Sequence, residues 1–134
     1  IPRRTAVGTD FNRVNLLMAV LEKKVGLHLA SSDAYVNIAG GMKMTEPAID
    51  LGICLAIASS MKDIVIPDKL MAFGEIGLSG EVRAVSMAGQ EAKKLGFDTV
   101  ILPEVCRNSV EKADGVNLVY VRQIQEAIRY IMSK

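Results

Sequence analysis

Apolar residues recur along the first half of the chain mainly at the spacing of helices. Between residues 10 and 25 they return at steps of three and four, the period of an amphipathic helix, and Gly26 ends the pattern. A second helix is predicted at 45–61, with Pro47 in its first turn and apolar residues nearly all round. That pattern is typical of a helix in the core. Small residues line one of its faces, where another backbone can approach closely: Ala48, Gly52, Ala56 and Ser59 or Ser60.

Strands are predicted where short apolar runs lie between turn residues. One covers 34–39, and two more, at 70–76 and 81–85, form a hairpin through the glycines of 77–80. The remaining predicted elements are a helix at 90–95, strands at 99–102 and 118–121, and a closing helix at 123–132. Helices that alternate with strands indicate an α/β domain, with helices layered on a mixed sheet. We expect residues 1–134 to form a single domain, with a lead-in segment at 1–9.

Composition supports one folded domain and excludes several other classes. Half of the 134 residues are apolar and 23% are charged, with a mean hydropathy of +0.27, which argues against disorder. The longest uncharged run in the central helix, residues 51–61, is much shorter than the roughly 20 residues of a membrane-spanning helix. The net charge of +1 gives no argument for nucleic-acid binding from composition alone.

The common sequence motifs of catalysis and cofactor binding do not occur. Neither the phosphate-binding G-x-x-x-x-G-K-[ST] pattern nor the dinucleotide-binding G-x-G-x-x-G pattern is found. The two cysteines form no C-x-x-C, which argues against zinc and fits a reducing, cytoplasmic compartment. His28 stands without a G-x-S-x-G motif, so a serine triad is not indicated. A serine activated by a lysine remains open at this point. Because the chain begins Ile-Pro-Arg-Arg, we expect a longer parent protein.

Six sequence blocks cover much of the chain: Pro2–Gly8, Asp10–Arg13, Leu17–Lys23, Asp33–Gly41, Glu46–Leu51 and Gly74–Arg83. They resemble the C-terminal domain of the RadA (Sms) family of bacterial DNA repair proteins. That domain is in turn similar to the proteolytic domain of Lon proteases. The resemblance implies a Lon-protease-like α/β fold, also known as the ribosomal protein S5 domain 2-like fold.

Lon proteases use a serine and a lysine, and the resemblance allows each position to be compared. The Lon serine follows the proline of a Gly-Pro-Ser-Ala-Gly segment that opens a helix. The matching segment here is 46–50, so Ala48 takes the place of the serine. The place of the lysine falls near Gly89. Asp50 adds a negative charge to the first helical turn, where amide groups would otherwise favour an oxyanion. The resemblance therefore implies a protease fold without protease chemistry.

The resemblance also implies a parent protein that is a hexameric, ATP-dependent DNA motor in recombinational DNA repair. ATP, magnesium and zinc are then expected in upstream domains, and no cofactor or metal in this one. The domain itself is expected to be a scaffold that forms a homo-hexameric ring and contacts DNA without sequence preference. Recombinase and replication proteins are further expected partners, and a membrane is not. The expected DNA contacts are basic residues: Arg3, Arg4, Arg13, Lys24 and Arg83.

Two other functions remain open from the sequence. One is a Ser-Lys peptidase of the Lon class with a relocated dyad, which a peptidase assay would reveal. The other is an oligomerisation module without DNA contact, which DNA-binding measurements at two salt concentrations would separate from the scaffold.

Overall fold

The computed structural model describes residues 4–7, 10–29, 33–37, 47–84, 96–108 and 115–133. Within these ranges the chain contains both helices and strands, as the sequence predicts. The elements are β1 (Arg4–Val7), α1 (Phe11–Val20), β2 (Ala34–Asn37), α2 (Asp50–Lys62), β3 (Leu70–Ala72), β4 (Glu75–Ile76), β5 (Val82–Arg83), β6 (Thr99–Pro103), β7 (Asn117–Val121) and α3 (Ile124–Met132). The predicted mixed α/β architecture is confirmed.

The described strands pair in three small sheets. β1 and β2 are parallel, β3, β6 and β7 form a parallel sheet with β6 in the middle, and β4 and β5 form an antiparallel hairpin. Four of the five residues of β6 are buried, as expected for a central strand of a parallel sheet. The hairpin shares no strand pairing with the parallel sheet, although β5 contacts β6, and its strand β4 packs against α2.

Capping residues define where the helices begin and end. The Asp10 side chain accepts a hydrogen bond from the backbone N–H of Asn12 at the start of α1. The helix continues as a π-helical turn, Leu21–Val25, and ends at Gly26 with a φ of 81°. At the start of α3, Gln123 and Glu126 form a capping box. The predicted helices at 10–25 and 123–132 are thereby confirmed almost to the residue.

The main core lies between the three helices, β6 and the hairpin. Its fully buried members include Leu17, Leu21, Leu51, Ile101 and Ile124. Gly52 of α2 faces β3: a methyl group added there would lie 3.7 Å from the carbonyl oxygen of Ala72, which is an ordinary contact distance. This contact agrees with the predicted close approach of a backbone along the small-residue face.

Two strand predictions are corrected by the structure. No strand is predicted in the lead-in segment 1–9, yet residues 4–7 form β1, because β2 supplies a parallel partner. Residues 70–76 are predicted as one strand but divide at Gly74, whose N–H and carbonyl bond to Ala48 and Leu51. The chain thereby passes from the sheet of β3 to the hairpin. The predicted helix at 90–95 lies outside the described residues.

Candidate functional site

A buried ion pair joins three elements at the start of α2. Asp50, in the first turn of α2, is completely buried, and its carboxylate accepts hydrogen bonds from Arg13 of α1. Arg13 Nε lies 3.0 Å from Asp50 Oδ1, and Arg13 Nη2 bonds to Oδ2. The backbone N–H of Ile76 in β4 donates to the same Oδ2 at 3.0 Å. Asp50 therefore binds α1 and the hairpin to α2.

The Arg13–Asp50 pair and the core around it favour the charged form of Arg13 and the neutral form of the Cys54 thiol. The hydrogen bond with Asp50 raises the pKa of Arg13 above its ordinary value. Cys54 lies one helical turn beyond Asp50, and burial raises the pKa of its thiol far above the usual range. Since the thiolate is the reactive form of cysteine, Cys54 remains a neutral core residue at physiological pH.

Ala48 is the residue that the Lon resemblance places where the serine would be. Its side chain is a buried methyl group, and its carbonyl accepts a hydrogen bond from the N–H of Gly74 at 3.0 Å. The N–H of Leu51 donates in turn to the carbonyl of Gly74 at 3.0 Å. This amide of α2 is therefore already bonded and is not free to stabilise an oxyanion. Gly89, near the implied lysine position, lies outside the described residues.

Three of the predicted DNA contacts have partners within the domain. Arg4 donates to Met18 Sδ at 3.0 Å and to the carbonyl of Leu29 at 2.8 Å, so it ties β1 to α1 and to the segment that follows it. Arg13 is held by Asp50. Arg83 is exposed, and its guanidinium lies 3.6 Å from the carboxylate of Glu75 and 3.0 Å from that of Glu81. Arg3 lies outside the described residues.

The contacts of Arg4 and Arg13 change their interpretation. Both side chains bind internal groups and hold elements together. The positive charge of Arg13 is moreover neutralised by a fully buried carboxylate. These contacts give Arg4 and Arg13 structural roles, and the expectation that the two residues contact DNA stays a prediction.

The fourth described candidate, Lys24, belongs to a different cluster. Its aliphatic stem packs on the hairpin turn: a methyl group added at Gly80 would lie 3.2 Å from Lys24 Cγ. The carbonyl of Gly80 accepts from the N–H of Ile124 at 2.8 Å, which brings the preceding Arg122 to the same place. Lys23 directly precedes Lys24 in the chain and is exposed, as is Arg122. We call Lys23, Lys24 and Arg122 the basic corner.

Two acidic residues near the basic corner in sequence accept hydrogen bonds from backbone N–H groups. Glu22 accepts a hydrogen bond from the backbone N–H of Leu29 at 3.1 Å. Glu126 accepts from the backbone N–H groups of Arg122 and Gln123, each at 3.0 Å. In the described part of the chain, no ion pair joins Lys23, Lys24 or Arg122 to an acid. Arg122 is not among the residues predicted from the sequence, because only the folded chain brings it beside the π-helical turn.

Two kinds of feature are missing from the described ranges. No helix there is long and apolar enough to cross a membrane. No group of three or more histidine, cysteine, aspartate or glutamate side chains is arranged there to hold a metal ion.

Comparison with known proteins assigns the chain to a family. Residues 3–105 match the protein-family model described as "Subunit ChlI of Mg-chelatase". The match extends from β1 through the hairpin to the end of the parallel strand β6. The chain belongs to this family.

The similar proteins are bacterial and share one name. The chain is 50% identical to DNA repair protein RadA of Bacillus subtilis over 131 residues. These residues make up 96% of this chain and 29% of that protein. It is 46% identical to the RadA of Halalkalibacterium halodurans over 99% of this chain and 30% of the relative. It is 42% identical to the RadA of Streptococcus pneumoniae, over 98% of this chain and 32% of that relative. The predicted resemblance to RadA is confirmed, and the chain spans about three-tenths of the length of these relatives.

Proposed function

We propose that this domain is the non-proteolytic scaffold and DNA-contacting part of a RadA-type hexameric, ATP-dependent DNA motor that acts in recombinational DNA repair. The observation that carries the proposal is the corner of Ala48, Asp50 and Arg13, where a Lon-type protease would have its nucleophile. The role in DNA repair is supported by relatives of that name whose similarity extends over nearly the whole chain.

Acyl transfer needs a nucleophile and hydrogen-bond donors for the oxyanion, and the described residues of this corner, from Pro47 onward, offer neither. The methyl group of Ala48 cannot attack a carbonyl, and the neighbouring Leu51 N–H is bonded to Gly74. The carboxylate of Asp50 is bound by Arg13 and Ile76, so it holds the fold together and cannot serve as a free base. The arrangement therefore supports a scaffold in which the former catalytic corner has become structural.

A peptidase assay tests the first half of the proposal. The purified chain is incubated with fluorescently labelled casein, and an active Lon-type protease serves as the positive control. We expect no cleavage above buffer. Cleavage that co-purifies with the chain and disappears when one of its serines is changed to alanine would establish the alternative, a Ser-Lys peptidase with a relocated dyad.

The proposed DNA surface is the basic corner, with Arg83 at its margin. Flexible lysines and an exposed arginine suit phosphate contacts, which position a protein on DNA without reading its sequence. One copy offers few such contacts, and each adds little affinity at physiological salt. A ring of six copies would repeat the corner six times, so that weak contacts add through a high effective concentration.

The remaining parts of the proposal concern the longer protein. ATP, magnesium and zinc belong to segments of the RadA-type parent beyond this domain, and the motor acts in the cytoplasm. The partners are further copies of the chain, DNA, and recombinase or replication proteins. A domain that assembles but leaves DNA unbound at low salt would instead be a pure oligomerisation module.

A further inference from the structure

The turn of the β4–β5 hairpin binds a negative group that the chain itself supplies. The carboxylate of Glu81 accepts a hydrogen bond from the backbone N–H of Ser79 at 3.1 Å and one from the guanidinium of Arg83 at 3.0 Å. The backbone N–H of Glu81 also donates to this carboxylate, and that bond, followed by the one from Arg83, lowers the pKa of Glu81. Two backbone amides and one guanidinium thus converge on a single anion.

Gly77 provides the space that this carboxylate occupies. A methyl group added at Gly77 would lie 2.3 Å from the Glu81 Cδ and 2.3 Å from its Oε1, so any side chain here would displace the carboxylate. We call the space beside Gly77, together with the N–H groups of Ser79 and Glu81 and the guanidinium of Arg83, the anion site.

The backbone of the turn is held by bonds that do not involve the carboxylate. The N–H of Gly80 donates to the carbonyl of Gly77 at 3.0 Å. Behind the turn, the N–H of Ile124 donates to the carbonyl of Gly80, and the N–H of Val82 to the carbonyl of Arg122, both at 2.8 Å. Because these bonds join the turn to the start of α3, the amides of the anion site should keep their positions when the carboxylate leaves.

The donors of the anion site suit a phosphate group as well as a carboxylate. Backbone N–H groups of a turn form concavities that bind anions, and an arginine beside them adds a charge-assisted hydrogen bond to phosphate oxygens. The site is open to solvent, since the side chain of Glu81 is 37% exposed and that of Arg83 is 54% exposed. An anion from outside can therefore reach these donors once the Glu81 side chain turns away.

We propose that Glu81 is an internal competitor: its carboxylate occupies the anion site in the free domain, and a backbone phosphate of DNA takes its place when the domain binds. The site adjoins the basic corner, because Lys24 packs on Gly80 of the same turn. The apparent affinity for phosphate is reduced by the fraction of copies in which Glu81 occupies the site. This inference rests on the proposed function and names how the contact of Arg83 with DNA is regulated.

The first arm of the test uses inorganic phosphate and two matched variants, Glu81→Ala and Glu75→Ala. Each removes one negative charge beside Arg83, since the Glu75 carboxylate lies 3.6 Å from the same guanidinium, but only Glu81→Ala empties the anion site. Phosphate is titrated while the amide resonances of residues 79 and 81 are followed by NMR. We expect saturable shifts in Glu81→Ala at about fivefold or more lower phosphate concentration than in Glu75→Ala or the unaltered chain.

Two results of this arm would overturn the inference. Equal phosphate binding by the two variants would show that charge alone matters and that the turn amides form no site. Loss of hydrogen-exchange protection at the Gly80 N–H in Glu81→Ala would show that the carboxylate builds the turn and does not merely occupy it.

The second arm replaces inorganic phosphate with labelled duplex DNA, whose binding is followed by fluorescence anisotropy at low salt. We expect Glu81→Ala to bind DNA about threefold or more tighter than Glu75→Ala does. Phosphate shifts without this difference on DNA would show a site for free phosphate and overturn the assignment to DNA. Equal DNA binding by both variants leaves the proposed DNA contact standing, whereas absence of DNA binding in every form of the chain would contradict the proposed function itself.

Discussion

The guanidinium of Arg13 on α1 binds the fully buried carboxylate of Asp50 in the first turn of α2, and the backbone N–H of Ile76 shares that carboxylate. One negative charge thus fixes the relative positions of two helices and the hairpin. It does so two residues from Ala48, at the corner that a Lon-type protease would use for catalysis. The structural and functional interpretations of the domain depend on this pair.

Removal of Arg13 should destabilise the fold strongly. In Arg13→Ala, the buried carboxylate loses its cation, which costs about 3–5 kcal/mol for a pair of this kind. Asp50→Asn should cost less, because the amide oxygen can still accept from Ile76 and Arg13 can turn to solvent. Urea denaturation measures the free energy of unfolding of the two variants. Midpoints unchanged from the unaltered chain would show that the pair does not hold the elements together.

A serine at position 48 should not create a protease. In Ala48→Ser the hydroxyl would stand beside a bonded Leu51 N–H and a carboxylate bound to Arg13, and no contact in the described part of the chain supplies a base for its proton. We expect no casein cleavage and no labelling by a fluorophosphonate probe, whereas an active Lon-type protease is labelled under the same conditions. Stoichiometric labelling at residue 48 would show that an activating group is present.

Two glycines of the same region should respond to alanine in opposite directions. A methyl group at Gly74 would lie 2.7 Å from Val82 Cγ1 and 3.3 Å from Pro103 Cγ, so Gly74→Ala should cost about 1–3 kcal/mol. At Gly52 the nearest atom would be 3.7 Å away, and alanine in a helix should add about 0.5–1 kcal/mol of stability. Thermal denaturation compares the stabilities of the Gly74→Ala and Gly52→Ala variants. Equal effects would contradict the close packing at Gly74.

Glu81 should make the hairpin sensitive to acid. Hydrogen bonds from its own backbone N–H and from Arg83 lower the pKa of Glu81 from its ordinary value of 4.5. A lowered pKa in the folded state means that this stabilisation is complete above pH 4.5 and is lost as the pH falls through the folded value. Denaturation curves from pH 7 to about pH 3 should therefore depend less on pH in Glu81→Gln. The same pH dependence of stability in Glu81→Gln and in the unaltered chain would contradict this role of Glu81.

The helices could be predicted from the sequence because their signals are local. The apolar period of 10–25, the Asp10 cap and the terminal Gly26 lie within a few turns of one another, and so do the signals of α3. β1 could not be predicted, since its stability depends on pairing with β2 from another part of the chain. The division of 70–76 at Gly74 likewise depends on bonds to the start of α2.

The difference between local signals and contacts with distant parts of the chain also explains which roles of the site residues could be predicted. Arg4 and Arg13 are charged residues near the start of a predicted helix, which favours a surface interpretation. Their partners, the Leu29 carbonyl and Asp50, come from later elements and are revealed only by the fold. Ala48 could be singled out because it depends on a contiguous motif.

The basic corner should account for the salt dependence of DNA binding. Lys23 is exposed and free of ion pairs in the described structure, so Lys23→Gln should reduce the slope of log affinity against log salt by about 1. Lys69→Gln is the matched control, since this exposed lysine lies at the start of β3, away from the hairpin turn. Equal slopes in the two variants would place the DNA surface elsewhere.

The most direct test of the proposed function is the fluorescence anisotropy of labelled DNA titrated with the chain between about 50 and 200 mM salt. Two oligonucleotides of unrelated sequence are compared at chain concentrations where assembly is established by sedimentation. The scaffold account predicts equal binding of both sequences, with an affinity that falls steeply as salt increases. Absence of binding at the lowest salt, or binding that is insensitive to salt, would contradict a DNA-contacting role.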